Sequence, residues 1–414
     1  MARNIRRPTL LSVFTGAGGL DIGLEAAGFS NSLCIELDTS ARETLAKNRP
    51  GWKLSLPGDI HKLKPHEILR QAGLKKGELD LLAGGPPCQP FSKSANWADV
   101  GNRRLRDPRA RTLHAYMRLV EAALPRVLLI ENVSGITFAG KDEGIKMLRR
   151  RIRAINRRKG TNYELRVLHL NLADFGIPQS RERVFLIASI DGSEFLPPAV
   201  THGVGPNLKP FVTAWDVLGD LDTKDWPPSL NLTGRWARLL PSIPEGQNYL
   251  WHTPRNSALG GEPLFGWRTR YWSFLLKLAK NRPAWTVQAN PGPATGPFHW
   301  KNRRLSIREL CRLQTFPNSY RIQGADDSAR RQIGNAVPCA IGEIIGLEIR
   351  RQLFNMPAKE SAKLIPSRRR KCPSPERPRS VPKDYLVLRG KHDDHPGSGL
   401  GPGVPRLRLF VAAK

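Results

Sequence analysis

Short apolar runs that stop at glycine or an acidic residue, each giving way to helical spacing, recur through the first 190 residues. Few folds accept that rhythm. "TLLSVF" (9–14) runs into "TGAGG", and "LDIGLEAAGF" (20–29) has helical spacing. "SLCIELD" (32–38) reads as a second strand and "SARETLAKNRP" as a helix stopped at Pro50. A further buried strand, "LDLLAGG" (79–85), precedes the amphipathic helix "LHAYMRLVEAAL" (113–124) and the strand "RVLLIENV" (126–133). A basic helix, "KMLRRRIRAINRRKG" (146–160), then leads to two strand-like stretches, "YELRVLHLNL" and "RVFLIAS". Strand alternating with helix predicts an open, largely parallel α/β sheet that binds ligands at the C-terminal ends of its strands.

After about residue 190 the texture changes. Residues 191–300 are rich in Pro and Gly and hold eight of the ten tryptophans. Regular patterning resumes with "RRLSIRELCRLQTFP" (303–317) and "AIGEIIGLEIRRQLF" (340–354). The 414 residues therefore divide into a domain over 1–190 completed by 301–355, a smaller irregular domain over 191–300, and a basic Pro/Gly-rich tail over 356–414 expected to be disordered.

The charge balance, 66 Lys+Arg against 36 Asp+Glu, gives a formal +30 and points to a polyanionic partner, with nucleic acid the default. The five cysteines are far apart and form no Cys/His cluster, which argues against zinc and against a disulfide framework. Glycines cut short the N-terminal apolar run, so no leader peptide is expected, and no run of about 18 apolar residues suggests a membrane span. The expected setting is a reduced cytoplasm.

"LLAGGPPCQPFS" (81–92) sets Cys88 behind Pro86 and Pro87 and ahead of Pro90. Proline locks φ and removes backbone donors, so the segment is a stiff loop rather than part of a helix or sheet. A buried structural cysteine needs no such frame. A nucleophile does, because its sulfur must meet the reacting atom in fixed geometry.

"FTGAGGLD" closes the first strand and opens a helix, which suits a nucleotide-like ligand. A dinucleotide fingerprint would need a third glycine where Asp21 stands, which weakens a nicotinamide-dinucleotide reading. Glu36 ends the second strand about twenty residues on, where a carboxylate accepts hydrogen bonds from ribose hydroxyls. Asp59, in "GDI" after an expected third strand, can take an adenine amino group. In this order they favour an adenosine-bearing cofactor without a second nucleotide.

Taken in order, "FTGAGGLD", "IELD", "GDI", "GGPPCQPFS", "ENV", "QSRER", "RRLSIRELCRLQTFP" and "QIGNAVP" resemble the DNA (cytosine-5)-methyltransferase family over nearly all of the chain outside its middle and tail. The resemblance implies a Rossmann-like S-adenosylmethionine-dependent sheet with a target-recognition domain at 191–300. It also implies methyl transfer from S-adenosyl-L-methionine to C5 of cytosine. Cytosine C5 is a poor nucleophile, so something must add to C6, and Cys88 is the natural group. By the same resemblance Glu131 holds N3 and the exocyclic amine of the base. Period-two alternation puts Gln179, Arg181 and Arg183 on one face, and by resemblance the two arginines brace the base, Glu131 or a phosphate. Phe14, Gly16, Gly18 and Gly19 line the methionine and ribose side of the cofactor, and Glu36 takes the ribose. Leu37 and Ile60 flank the adenine, Asp59 holds its amine, and Asn335 comes from the segment that folds back beside the first motif.

A base inside duplex DNA must be flipped to reach a thiol. The polar, basic loop "SKSANWADVGNRRLRDPRART" (92–112) is expected to close over double-stranded DNA. Arg, Asn, Gln and Trp in "NLTGRWARLLPSIPEGQNYLWHTPRN" (231–256) are candidates for reading base edges, although several tryptophans must form that domain's core. The helix at 146–160 is expected to be a solvated outer face, and "SRRRK" in the tail to add phosphate attraction. The pattern fits a compact bacterial modification enzyme, monomeric, with or without a cognate restriction endonuclease. A tRNA methyltransferase of the same superfamily is disfavoured by the developed middle domain, and a non-catalytic relative by the presence of both Cys88 and Glu131.

Overall fold

Four strands near the N-terminus, β1 (Thr9–Val13), β2 (Ser30–Ile35), β3 (Leu81–Gly84) and β4 (Val127–Val133), run parallel. They are followed by β5 (Arg166–Asn171), β6 (Gln179–Ser180) and β7 (Glu182–Ser189). The main sheet has the order β2-β1-β3-β4-β7-β5, with β7 antiparallel to both of its neighbours. The computed structural model describes residues 6–86, 111–137, 143–266, 272–359, 361–369 and 371–389.

Successive residues of β1 supply opposite faces of the sheet, Leu11 and Val13 one and Leu10 the other, which is why the strand reads as a continuous apolar run. On the first face lie α3 (Pro65–Ala72), α4 (Arg111–Ala123) and α5 (Glu143–Lys159). α5 buries Met147, Leu148, Ile152 and Ile155 and leaves Arg149, Arg150, Arg153 and Arg157 exposed, the solvated face its sequence predicted.

On the second face α1 (Gly19–Ala26) packs against α9 (Cys339–Gln352), which returns from the far end of the chain. Small residues permit that approach. A Cβ on Gly23 would lie 2.2 Å from the Cys339 carbonyl oxygen, and one on Gly342 would lie 2.7 Å from that of Leu20. Between them in sequence, α7 (Ile307–Leu313) is started by Ser306, which shares a capping box with Glu309. α2 (Thr39–Asn48) ends ahead of Pro50 as read from the sequence.

Two expectations need correction. The strand expected before "GDI" is reduced to an isolated parallel bridge between Cys34 and Leu54, because the chain turns through Pro57 and Gly58 immediately afterwards. The tail is not disordered over its described residues 356–359, 361–369 and 371–389. It packs Leu364 and Ile365 against the sheet's second face and forms a short helix, α10 (Lys383–Leu386). Composition misled because these few apolar side chains are widely spaced among polar ones.

Residues 191–300 carry α6 (Ala214–Leu218), several single turns, and β8 (Ala284–Trp285), which pairs with β6. A separate core forms there from Leu239, Leu240, Ile243, Tyr249, Phe265 and Phe274, among others. Trp236 meets Phe265 and Phe274 edge-on in that core, and Trp300 is wholly buried.

Candidate active site

Two groups of side chains meet the C-terminal edge of the sheet, one at β1 and β2 and the other at β4 and β7. At the first, the chain leaves β1 with Phe14 in the left-handed region (φ 58°), and the Phe14 and Thr15 amides both donate to the Ile35 carbonyl. This turn brings the Gly16 amide to 2.6 Å from Glu36 Oε2, while Glu36 Oε1 accepts from the Asp38 amide at 2.7 Å. Burial raises the Glu36 pKa, and those amide hydrogen bonds oppose the rise.

The three glycines of "GAGG" differ in role. Gly16 (φ 56°) has open space where a Cβ would stand. A Cβ on Gly18 (φ 78°) would lie 2.9 Å from Leu45. One on Gly19 would lie 2.1 Å from the Val337 carbonyl oxygen, so Gly19 serves the packing of α1 against the returning chain. Leu37 is 70% exposed beside Glu36, whereas Ile60 is a core residue at 5% and does not present an open apolar face. Asp59 caps the turn Ile60–Lys62 by accepting from the His61 amide at 2.9 Å. Asn335 is exposed at the end of α8 (Asp326–Asn335). Open space at Gly16, an exposed Leu37 and a carboxylate fixed between two amides fit an adenosine-bearing cofactor.

At the second group, Glu131 on β4 and Arg183 on β7 are diagonal neighbours across the antiparallel ladder, with Glu131 Oε1 2.8 Å from Arg183 Nε. A Cβ on Gly85 would lie 3.2 Å from Glu131 Oε2, so the carboxylate stands over the start of the cysteine loop. Asn132 reinforces the junction by donating to the Pro86 carbonyl at 3.4 Å. Burial raises Glu131, against the pull of Arg183 and Arg181. Cys88 itself, and residues 92–110 of the loop expected to close on DNA, lie outside the described residues.

Arg181 does not join Arg183 on Glu131. Wholly buried, it donates to Gln179 Oε1 and to the carbonyls of Val287, Gly334 and Ala336 at 2.8–3.3 Å. Gln314, unremarked in the sequence, donates to the Ile333 and Ala336 carbonyls and accepts from Gln179 at 3.0 Å. "QSRER", "RLQTFP" and "QIGNAVP" thus meet in one buried network, and period-two alternation explains why Arg181 points inward there. Its only advance signal was that polar residues recurred inside otherwise apolar motifs.

In the middle domain, Asn248 is structural, capping a turn and donating to the Trp272 carbonyl. Among the described residues the exposed tryptophan surface belongs to Trp272 and Trp285, 53% and 37% exposed and edge-on at 5.5 Å. Trp285 is in register with Ser180, three residues before Arg183. Among the described residues no group of three or more His, Cys, Asp or Glu could hold a metal, and no helix is long and apolar enough to cross a membrane.

A carboxylate held between two amides at one end of the sheet edge, a buried carboxylate–guanidinium pair at the other and the mostly parallel sheet between them fit a Rossmann-like methyltransferase. Residues 9–351 match the model of the C-5 cytosine-specific DNA methylases, and the chain belongs to that family. It is 37% identical over 375 residues to the Type II methyltransferase M.SacI of Streptomyces achromogenes, covering 83% of this chain and 93% of that protein. It is 31% identical over 338 residues to the Type II methyltransferase M.NgoFVII of Neisseria gonorrhoeae, covering 80% and 83%. A solved structure of a candidate DNA modification methyltransferase from an E. coli prophage shares the fold, with a TM-score of 0.56 at 22% identity, covering 84% of this chain and 99% of that one.

Proposed function

We propose that the chain moves a methyl group from S-adenosyl-L-methionine to C5 of a flipped cytosine within a short, specific double-stranded DNA site. The observation that carries this reading is the Glu131–Arg183 pair over Gly85, at the root of the Cys88 loop. Phe14, Gly16, Glu36, Leu37 and Asp59 would hold the cofactor, which supplies an electrophilic methyl carbon when bound. The Cys88 thiolate adds to C6, forming an S–C6 bond and raising electron density at C5. Burial favours the protonated form of Glu131, which can then donate to N3 as charge develops on the ring. After transfer, loss of the C5 proton and departure of the Cys88 sulfur from C6 restore the aromatic ring.

The likeness to Type II methyltransferases supports a modification enzyme of a restriction-modification system in the bacterial cytoplasm. The chain would act as a monomer. Residues 191–300 would read the target, and the formal charge of +30 suits a phosphate-rich substrate. Conversion sequencing of DNA from a methylation-free bacterial host expressing the chain tests the reading. One protected cytosine in one short motif, absent with Cys88→Ala, is expected. Unmodified DNA from folded, cofactor-binding protein overturns it, and tRNA is then the substrate to assay.

A further inference from the structure

We infer that the segment after α9, residues 361–369 and 371–389, is a strap that fixes the middle domain's position against the catalytic sheet. The inference rests on the reading of that domain as the part that engages DNA.

The strap is held at every stage. On the sheet side, Glu343 of α9, wholly buried, accepts from the Lys363 and Leu364 amides at 2.9 and 2.8 Å. A capping carboxylate of α6, Asp216, accepts from the Arg369 amide at 2.5 Å, and Trp215 donates to the Lys371 carbonyl at 2.6 Å. Next comes an ion cluster around a buried lysine, with Glu376 of the strap half exposed at its rim. Lys280 Nζ lies 2.8 Å from Glu245 and 3.0 Å from Glu376, and the Glu376 amide donates to Glu245 at 2.8 Å. The Lys280 and Glu245 side chains are 3% and 4% exposed, so the strap supplies a carboxylate to a cation withdrawn from water.

At its far end the strap completes a hydrophobic core. Tyr385 and Leu388 are 6% and 4% exposed within the cluster of Leu239, Tyr249, Phe265 and Phe274. Tyr385 stacks on Trp236 at 6.0 Å and 26°, and its hydroxyl donates to the Arg235 carbonyl. Arg389 pairs with Glu262 at 2.6 Å and Arg238 with Asp384 at 2.9 Å. One continuous segment therefore ties α9, α6 and the middle-domain core together. None of its residues lies in the cofactor or Glu131 groups, so the predicted effect is on how DNA is engaged.

The test uses the full chain with Tyr385→Ala, Tyr385→Phe and Glu376→Gln. Steady-state kinetics on cognate duplex, S-adenosylmethionine affinity by calorimetry, and hydrogen exchange across residues 236–266 are measured for each. Tyr385→Ala is expected to raise KM for DNA at least tenfold, with kcat within threefold and cofactor affinity within twofold. Tyr385→Phe, which keeps the stack, restores KM, and Glu376→Gln gives a smaller rise. Protection across 236–266 falls in Tyr385→Ala alone. The inference is overturned if Tyr385→Ala leaves KM and protection unchanged, or if kcat and cofactor affinity fall while KM rises. Should the unmodified chain methylate no DNA, the functional reading fails by itself, and the exchange measurement still decides whether the strap orders the middle domain.

Discussion

Arg183 Nε stands 2.8 Å from Glu131 Oε1, and the two side chains are 12% and 11% exposed. The two lie diagonally across the antiparallel β4–β7 ladder, Glu131 in register with Phe185 and Arg183 with Val133, so their backbones are held at a fixed separation. Burial raises Glu131 and lowers Arg183, while each partner's charge opposes the other's shift. Burial thus favours the protonated carboxyl more than the arginine charges favour the carboxylate.

Replacing Arg183 with Met removes the charge that restrains Glu131, so Glu131 should hold its proton to higher pH. The alkaline limb of the kcat/KM profile is expected to move upward. Turnover should fall by two orders of magnitude or more, because the carboxyl loses its anchor. Breaking a buried pair also costs about 3–5 kcal/mol of stability. A pH–rate series beside denaturant unfolding checks both, and an unmoved alkaline limb would assign that limb to another group.

Asp21 offers a stability test with a defined sign. It is buried beside the cofactor turn, and desolvation pushes it to about 7 from an ordinary 3.8. Below about pH 4 both folded and unfolded chains keep this proton. Between about 4 and 7 only the folded chain keeps it, so stability falls as pH rises and the loss is complete above about 7. Asp21→Asn should match the unmodified chain at pH 4 and exceed it at pH 8, by on the order of 2–4 kcal/mol. Equal unfolding midpoints at pH 8 would show that Asp21 ionises in the folded protein without penalty, its pKa not raised by burial.

The two ends of "GAGG" should separate binding from packing. Gly19→Ala drives a methyl group toward the Val337 carbonyl and is expected to cost at least about 2 kcal/mol. Gly16→Ala meets no atom, but its φ of 56° costs about 1–2 kcal/mol, and the methyl intrudes where the cofactor is placed. Thermal unfolding should therefore rank Gly19→Ala as the more damaging. Cofactor calorimetry should rank Gly16→Ala as the weaker binder.

What the sequence disclosed was whatever depends on local pattern. Continuous apolar strands and the outward arginines of α5 each follow from spacing alone. Gly16 and Glu36 were each expected near a cofactor, and the structure shows them joined by a hydrogen bond that the sequence did not foretell. The Arg181 network was not legible, since its partners are backbone carbonyls of Val287, Gly334 and Ala336, more than a hundred residues away. The strap was missed for a related reason: its anchors are a few spaced side chains inside a polar, Pro-rich stretch. Among the tryptophans, composition could count them but only packing divides Trp236 and Trp300, which are core, from Trp272 and Trp285.

That division yields the last expectation. Exposed tryptophan is costly to leave in water, and two in edge-on contact form a rigid apolar surface. Trp285 is tied by β8 to the strand that leads into Arg183, so the surface is anchored to the same chain segment that holds Glu131. DNA engaged at that edge would offer bases and sugars to it, and aromatic stacking on a base is worth about 1–3 kcal/mol. Trp285→Ala should raise KM for cognate duplex roughly fivefold or more while leaving S-adenosylmethionine affinity unchanged. Trp272→Ala should give a smaller effect, and the double variant less than the sum, because each ring supports the other. Tryptophan fluorescence titrated with cognate duplex reads the contact directly: quenching should diminish in Trp285→Ala, and undiminished quenching would place the DNA elsewhere.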